Sequence, residues 1–241
     1  YGLHFSSERR GQVIIDTSQL DLNRFTLSDY SALGWFVGKQ VLENIPIFPS
    51  LPSNISQEKL RFLLYPIPSA GAAVMVNIIG ITPGVPTLEA ALMGSDPIEV
   101  LKIGPKEINN VYETIRTAKK EHVDLVVFGC PHCSYPFIQF VAKRLNGKKI
   151  SSGVRFWVST SEYIRSLAKK TGLVDIIENA GGLVLSGMCV SRGGPWDDIE
   201  GVKVVATNVS MLAYNLRDKV DVIFGNSAQC ITAAIKGRWE Y

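Results

Sequence analysis

Short apolar runs alternate with helix-length segments throughout the second half of the chain. After a first run at 98–103, the apolar runs predict strands near 124–128, 155–159, 183–187, 203–206 and 221–225. The intervening and following segments predict helices at 105–119, 135–145, 161–170, 210–216 and 227–236. The strands carry little polar alternation, which is typical of strands buried on both faces. The predicted fold class is therefore α/β, with a mainly parallel sheet flanked by helices.

The first part of the chain is less regular. Its apolar spacing predicts a strand at 12–16 and helices at 28–42 and 56–65. Ser28 or Asp29 is the expected N-cap of the first helix. Three prolines predict that 45–53 is a loop. We therefore expect an irregular α/β portion at 1–97 and a parallel α/β domain at 98–241 that carries the cysteine-containing loops.

The composition is that of an ordinary globular protein. With 25 basic and 22 acidic residues, the formal charge of +3 is too small to predict nucleic-acid binding. The apolar stretches are well short of the roughly 20 residues that a transmembrane helix needs. No basic segment followed by an apolar one opens the chain, so we expect a cytoplasmic protein without a membrane partner. The chain starts at Tyr1 without a methionine, and we expect a piece of a longer protein.

Polar and nucleophilic residues follow the predicted strands at the points where they end. Five successive strand ends run into such segments, which begin at Cys130, Ser159, Cys189, Asn208 and Asn226. Helix capping alone explains a single segment of this kind. In open α/β sheets, however, the ligand crevice lies beyond the carboxyl ends of the strands. Five segments in succession, two with a cysteine at the strand end, predict a binding site at this edge.

The tetrapeptide Cys130-Pro131-His132-Cys133 allows three interpretations. A structural zinc site would need a second ligand pair, which the spacing of the other cysteines and histidines does not provide. A thioredoxin-like thiol–disulfide oxidoreductase would use Cys130 and Cys133 as its redox pair. Such a fold also needs a later proline facing the thiols, and the sequence offers no suitable one. Alternatively, Cys130 and Cys189 converge from separate strand ends on one iron–sulfur cluster.

A family resemblance distinguishes between these interpretations. The sequence resembles the large (catalytic) subunit of aconitase X over essentially its whole length, in segments that occur in matching order. They are LGWFVGK at 33–39, IGITPGVPTLEAA at 79–91, FGCPH at 128–132, FWVSTS at 156–161, GMCV at 187–190 and FGNSAQC at 224–230. Family large subunits are longer, so this sequence looks like their C-terminal part.

The resemblance implies an aconitase-like fold and a hydro-lyase that eliminates water from a small hydroxy acid. Mevalonate 5-phosphate, an intermediate of isoprene biosynthesis, is the expected substrate, and the hydroxyproline dehydratases are the other family class. It implies an iron–sulfur cluster, of the 4Fe-4S rather than the 2Fe-2S type. It also implies a small swivelling partner subunit that closes over the site and brings a catalytic serine. A truncated, non-catalytic binding module is the alternative, because the chain is expected to be inactive without its N-terminal part and the small subunit.

The resemblance also assigns residues. Cys130 and Cys189 are the implied cluster ligands, and the third ligand is expected in the missing N-terminal part, with Cys230 as the local substitute. Cys133 is expected to be structural. The substrate-binding candidates are Ser159, Thr160, Ser161, Arg192 and Asn208, although Ser161 could equally be an ordinary helix N-cap.

One position departs from the family pattern. Met211 stands where the family usually has a lysine, and a methionine cannot replace the charge of a lysine beside an anionic substrate. We therefore expect that another cation such as Arg192 or Lys203 serves, that the substrate differs, or that the activity is impaired.

Overall fold

The computed structural model describes residues 6–191 and 201–240, which form two compact units. The first unit extends to Val111 and the second begins at Tyr112. Sequence patterning predicted a division after residue 97, but β4 (Glu99–Lys102) pairs in parallel with β1 (Val13–Asp16). The strand at 99–102 therefore belongs to the sheet of the first unit. Sequence patterning did not show this, because the partner strand lies far away in the sequence.

The first unit contains a four-stranded parallel sheet in the order β3-β2-β1-β4. Its other two strands are β2 (Pro46–Phe48), which is central, and β3 (Asn77–Ile78), which is at the edge. The expectation that 45–53 is only a loop was wrong, because Pro46 is the first residue of its strand, where a proline is tolerated. Its helices are α1 (Leu27–Val41), α2 (Gln57–Leu64), α3 (Pro66–Ala70) and α4 (Leu88–Leu92), and α5 (Pro105–Ile115) crosses the division between the two units.

Helix α1 is buried against α2 and α3, and two glycines make this close packing possible. A Cβ atom added at Gly34 would lie 2.0 Å from the carbonyl oxygen of Leu63, and one at Gly38 would lie 2.3 Å from that of Ile67. The helix begins with a capping box of Thr26 and Asp29, not at Ser28. Asp29 is therefore the N3 residue of the box, and the cap lies earlier than the sequence predicted.

The second unit contains a five-stranded sheet in the order β7-β6-β5-β8-β9, and every pairing is parallel. The strands are β5 (Leu125–Phe128), β6 (Arg155–Thr160), β7 (Leu183–Ser186), β8 (Val204–Thr207) and β9 (Asp221–Phe224). The helices are α6 (Tyr135–Leu145), α7 (Glu162–Lys170), α8 (Leu173–Asn179), α9 (Ser210–Leu216) and α10 (Ser227–Lys236). The predicted parallel α/β fold is confirmed, and α8 is an additional helix.

The central strands β5 and β8 are buried at every position, as the apolar runs predicted. Phe128 lies at the centre of the core, and its ring makes edge contacts with the rings of Phe137 and Phe156. This aromatic cluster packs α6 and β6 against β5. The loop that follows β5 therefore begins at a rigidly packed strand. Within the described residues, no helix is long and apolar enough to cross a membrane.

Candidate functional site

The order of strands in the second sheet reverses between β5 and β8. From β5 the chain continues to β6 and β7 on one side, whereas β8 and β9 lie on the other side. Ligands of open α/β folds bind where the strand order reverses in this way, beyond the carboxyl ends of the two strands. Cys130 follows β5 and Asn208 follows β8, so these two predicted site residues flank the reversal point.

The loop after β5 is tied to the end of β6. The backbone N–H of Cys133 donates to the carbonyl of Ser159 at 2.9 Å, and the hydroxyl of Thr160 donates to the carbonyl of Cys133 at 2.6 Å. Gly129 has a φ of 126°, and a Cβ atom there would lie 2.5 Å from the Ser159 carbonyl oxygen. Only glycine fits this close approach. Cys130 and Cys133 are consequently held in a fixed, buried loop.

The loop after β7 crosses the same edge of the sheet. The carbonyl of Met188 accepts a hydrogen bond from His132 Nε2 at 3.1 Å and another from Ser159 Oγ at 3.2 Å. Farther along, Ser191 Oγ accepts from Asn215 Nδ2 of α9 at 3.0 Å. The loop that carries Cys189 thus runs from the edge strand β7, past the ends of β6 and β5, to the helix that follows β8.

The three hydroxyls of the Ser159–Thr160–Ser161 segment form hydrogen bonds with backbone groups of the protein. Those of Ser159 and Thr160 are fully buried and bind the Met188 and Cys133 carbonyls. Ser161 is the N-cap of α7, where its oxygen accepts from the N–H of Ile164. Contact of these residues with a substrate therefore stays a prediction. Arg192, the other candidate in these loops, lies outside the described residues.

Asn208 presents a different situation, because part of its polar surface is unused. The residue is 1% exposed, and its Nδ2 donates to Ser227 Oγ at 2.9 Å. Neither its Oδ1 nor the hydroxyl of the neighbouring Thr207 has a hydrogen-bond partner among the described residues. An unsatisfied buried polar group costs on the order of 1–3 kcal/mol. A bound donor, from a ligand or a water molecule, would remove that cost at Asn208.

The first unit has its own cavity at the corresponding edge of its sheet, with a volume of about 500 Å³. It is lined by residues that follow β1, including Thr17 and Asp21, and by Ser50 after β2. The pKa of the Asp16 carboxyl is lowered by hydrogen bonds from the side chain and backbone of Ser18. This carboxylate is therefore already satisfied by the turn that follows the strand.

Comparison with known proteins places the two units in one family. Residues 11–113 match the model for the second domain of aconitase X, and residues 123–236 match that for its third domain. The chain belongs to the aconitase X family. The boundary between the two matches agrees with the division of the structure near Val111.

The relatives of this aconitase X chain include two classes of enzyme. It is 34% identical to the phosphomevalonate dehydratase large subunit of Methanocaldococcus jannaschii, over 99% of this chain and 57% of that one. It is 23% identical to the cis-3-hydroxy-L-proline dehydratase of Pseudomonas aeruginosa, over 98% of this chain and 41% of that one. The crystal structure of Thermococcus kodakaraensis aconitase X (holo-form) superposes with a TM-score of 0.83 at 26% identity, over 97% of this chain and 57% of that one. The chain thus spans about half the length of its relatives.

The family and the sheet topology exclude the thioredoxin-like alternative. The two units match the domain models of the family, and the pair Cys130 and Cys133 is buried on a sheet that is parallel throughout. A peptide bond in the cis form joins Cys130 to Pro131, within the motif itself.

Cys230 has the surroundings of a core residue. It is fully buried on α10, and its thiol lies 3.8 Å from the carbonyl of Gly225. Burial raises the pKa of this thiol, which disfavours the thiolate that a metal requires. Within the described ranges, no group of three or more His, Cys, Asp and Glu residues is placed to hold a metal ion. The described part of the chain therefore offers Cys130 and Cys189 without a third thiolate beside them.

Met211 occupies a buried position. Met211 is 5% exposed, in the first turn of α9 after β8. Lys203 precedes β8 and lies at the opposite, amino edge of the sheet, where its backbone N–H binds Asp124. The expectation that Lys203 replaces a charge at Met211 was therefore wrong, because the length of a strand separates the two positions.

Sequence patterning missed one residue that connects the loops. His132 was noted only as part of the Cys130–Cys133 motif, yet its ring bridges to the Cys189 loop through the Met188 carbonyl. The available signal was a histidine directly beyond a strand end. The partner is a backbone carbonyl, which leaves no mark in the sequence.

Proposed function

We propose that this chain forms part of a hydro-lyase that removes water from a small hydroxy acid, and that Cys130 and Cys189 supply two ligands of its iron–sulfur cluster. The observation that carries the proposal is the convergence of the two cysteine loops. His132, two residues after Cys130, binds the carbonyl of Met188, the residue before Cys189. The dehydratase names of relatives in two substrate classes support the reaction type.

The donor set of the two loops fits such a cluster in part. Thiolates are the protein ligands of iron–sulfur clusters, and three of them can leave one iron open to substrate. When bound, the cluster would supply a Lewis acid for the departing hydroxyl group. The third thiolate is proposed to come from outside the described residues, because Cys230 is packed in the core with a raised pKa. A 4Fe-4S cluster is the proposed type.

The chain's own residues would bind and orient the reactants. The buried hydroxyls of Ser159 and Thr160 fix the two cysteine loops, so little reorganisation is needed when a ligand binds. The Oδ1 atom of Asn208, which has no hydrogen-bond partner among the described residues, would accept a hydrogen bond from a donor group of the substrate. Cys130 and Asn208 are both buried, so a polar contact made with either would be shielded from bulk water and thereby strengthened.

Mevalonate 5-phosphate is the substrate that we propose, since the relatives at 34% and 32% identity are phosphomevalonate dehydratase large subunits. Their designation as large subunits supports a small partner subunit. We propose that this partner closes the site and brings the serine base.

The test is an anaerobic reconstitution of the complete enzyme, with any further large-subunit residues and the small subunit, followed by two assays. Turnover of mevalonate 5-phosphate and of cis-3-hydroxy-L-proline would identify the substrate class. Iron content and cluster absorbance of Cys130→Ala and Cys189→Ala would identify the ligands. We expect each variant to lose nearly all cluster and turnover, because each removes a coordination bond.

Cys133→Ala is the matched control, since Cys133 is a buried cysteine in the same loop. It should retain most of its iron, because truncation of one small buried side chain costs on the order of 1 kcal/mol. Normal turnover of the Cys189→Ala variant would contradict the proposal. Equal iron loss from all three variants would point instead to a general failure of the loop to fold.

A further inference from the structure

We propose that His132 and Ser159 are positioning residues that hold Cys189 in register with Cys130. They act through one acceptor, the carbonyl of Met188, and neither needs to contact the metal group itself. The inference rests on the proposed function, in which Cys130 and Cys189 bind a common group. It adds to that function the means by which the spacing of the two thiols is set.

The Cys189 loop requires such a constraint. Cys189 is exposed and follows β7, which is an edge strand with a neighbour on one side only among the described strands. The loop turns at Gly187, whose φ of 73° is a left-handed conformation. Beyond the cysteine, the chain is fixed again at Val190, which is 1% exposed, and at the Ser191–Asn215 hydrogen bond. On the side that precedes the cysteine, the Met188 carbonyl is an anchoring point directly beside it.

Two donors from two different strand ends meet at this carbonyl. Ser159 Oγ reaches it at 3.2 Å from the end of β6, and His132 Nε2 reaches it at 3.1 Å from the loop after β5. A carbonyl oxygen only accepts, so Nε2 must carry the proton in this contact. The carbonyl has two lone pairs, and the two donors can be accommodated together.

The two donors, Ser159 and His132, are themselves held in place by hydrogen bonds between the end of β6 and the loop after β5. The carbonyl of Ser159 accepts the N–H of Cys133, and the hydroxyl of Thr160 donates to the carbonyl of Cys133. The end of β6 therefore binds the Cys130 loop through its backbone and the Cys189 loop through the Ser159 side chain. This arrangement fixes the two cysteine loops relative to each other before any group binds. Outer contacts of this kind orient ligands and tune metal affinity in many proteins.

The experiment uses the full chain with Cys133→Ala and Cys230→Ala, which leaves Cys130 and Cys189 as its thiols. Cd²⁺ alone is titrated, and thiolate-to-metal absorbance reports its binding. In this background Ser159→Ala should weaken Cd²⁺ binding about tenfold, equivalent to about 1.4 kcal/mol, and His132→Phe should weaken it a few-fold because that contact is exposed. His132→Gln, which keeps an N–H donor, should restore most of the affinity. His122→Phe, a ring at the opposite edge of the sheet, is the matched control.

A second measurement keeps the inference independent of metal binding. Hydrogen exchange of the amides at 187–191 should become faster in the Ser159→Ala/His132→Phe double variant, while β5 and β6 stay protected. If the parent chain binds no Cd²⁺ through Cys130 and Cys189, the ligand assignment fails, and the exchange data still decide the positioning role. Unchanged exchange in the double variant, or Cd²⁺ affinity equal to that of the parent, would overturn the inference.

Discussion

Two polar residues at opposite edges of the second sheet, Asp124 and Asn208, differ in how their polar groups are bonded. At the amino edge, the carboxylate of Asp124 accepts from the backbone N–H groups of Lys203 and Val204 at 2.9 and 2.8 Å, and it lies 2.7 Å from His122 Nε2. Asp124 thereby joins β5 to β8 through the protein's own hydrogen bonds. At the carboxyl edge of the same two strands, Asn208 is buried with an oxygen that lacks a partner among the described residues.

This difference separates stabilising residues from binding residues within one sheet. A buried polar group that is fully bonded contributes to folding, whereas one left unsatisfied costs free energy unless a ligand or water completes it. Changes at the amino edge should therefore affect the free energy of unfolding with little effect on ligand binding. A change at Asn208 should do the reverse.

The largest effect that we expect from this comparison is at Asn208. In the complete enzyme, Asn208→Ala should lower kcat/KM about a hundredfold, because it removes the acceptor that would meet the substrate, a loss of about 2.7 kcal/mol. The free energy of unfolding should fall by about 1 kcal/mol or less, since the hydrogen bond to Ser227 is lost along with an unsatisfied oxygen. Steady-state kinetics and chemical denaturation measure the two quantities.

Asn146→Ala is a suitable control for that change, because Asn146 is an exposed residue at the end of α6 in the same unit. It should leave both quantities nearly unchanged. If Asn208→Ala destabilised the protein by several kcal/mol and kept full kcat/KM, the two edges would not differ as described.

Sequence patterning predicted the second sheet well for a physical reason. Strands buried on both faces are apolar along their whole length, so the pattern itself reveals their bounds, and β5 at Leu125–Phe128 falls within the predicted 124–128. The sheet to which β4 belongs could not be predicted. The partner of β4 is β1, and the two strands lie near opposite ends of the first unit in sequence. Pairing between distant segments has no local signature.

The candidate site shows the same limit. Strand-end positions indicated the edge where Cys130, Cys189 and Asn208 lie, because parallel strands all end on one side. The hydrogen bonds that set their geometry could not be predicted, since they join side chains such as Ser159 to a backbone carbonyl at Met188. The same applies to Lys203, which is near Met211 in sequence yet lies at the other edge.

An intermediate effect is expected at Asp124. Asp124→Asn should lower the free energy of unfolding by about 2 kcal/mol, because the charge-assisted hydrogen bonds to two backbone N–H groups are weakened. Asp175→Asn is the control: its carboxylate pairs with Lys169 at the surface, and such pairs contribute about 0–1 kcal/mol. Chemical denaturation at neutral pH measures both, and an equal loss from the two variants would contradict the role of Asp124.

The pH dependence of the free energy of unfolding, measured for the parent and for Asp124→Asn, adds a second test. Burial alone would raise the pKa of the Asp124 carboxyl, but hydrogen bonds from Lys203, Val204 and His122 outweigh it, and the pKa is lowered. A carboxyl with a lowered folded-state pKa contributes stability above its unfolded pKa of about 3.9 and loses it as the pH falls through the folded value. The stability difference between the parent and Asp124→Asn should therefore shrink as the pH falls below about 4. A difference that grew in acid would rule out this linkage.

The smallest effect is expected at Cys230 on α10, the helix that follows β9. This residue tests whether the proposed site at the carboxyl edge includes a cysteine of that helix. Its thiol is fully buried on α10 beside the Gly225 carbonyl, and burial raises its pKa. Cys230→Ala should therefore cost about 1 kcal/mol of unfolding free energy, the value of a small apolar contact, and should leave the iron content of the complete enzyme unchanged. Cys230→Ser should cost more than Cys230→Ala, because a hydroxyl is more costly to bury than a thiol.

At pH 8, an alkylating reagent should modify exposed Cys189 readily and leave Cys230 unmodified in the folded chain, because the reactive species is the thiolate. A loss of iron from Cys230→Ala with the fold intact would instead make this cysteine the third ligand, and the carboxyl-edge site would then extend down to the first turn of α10.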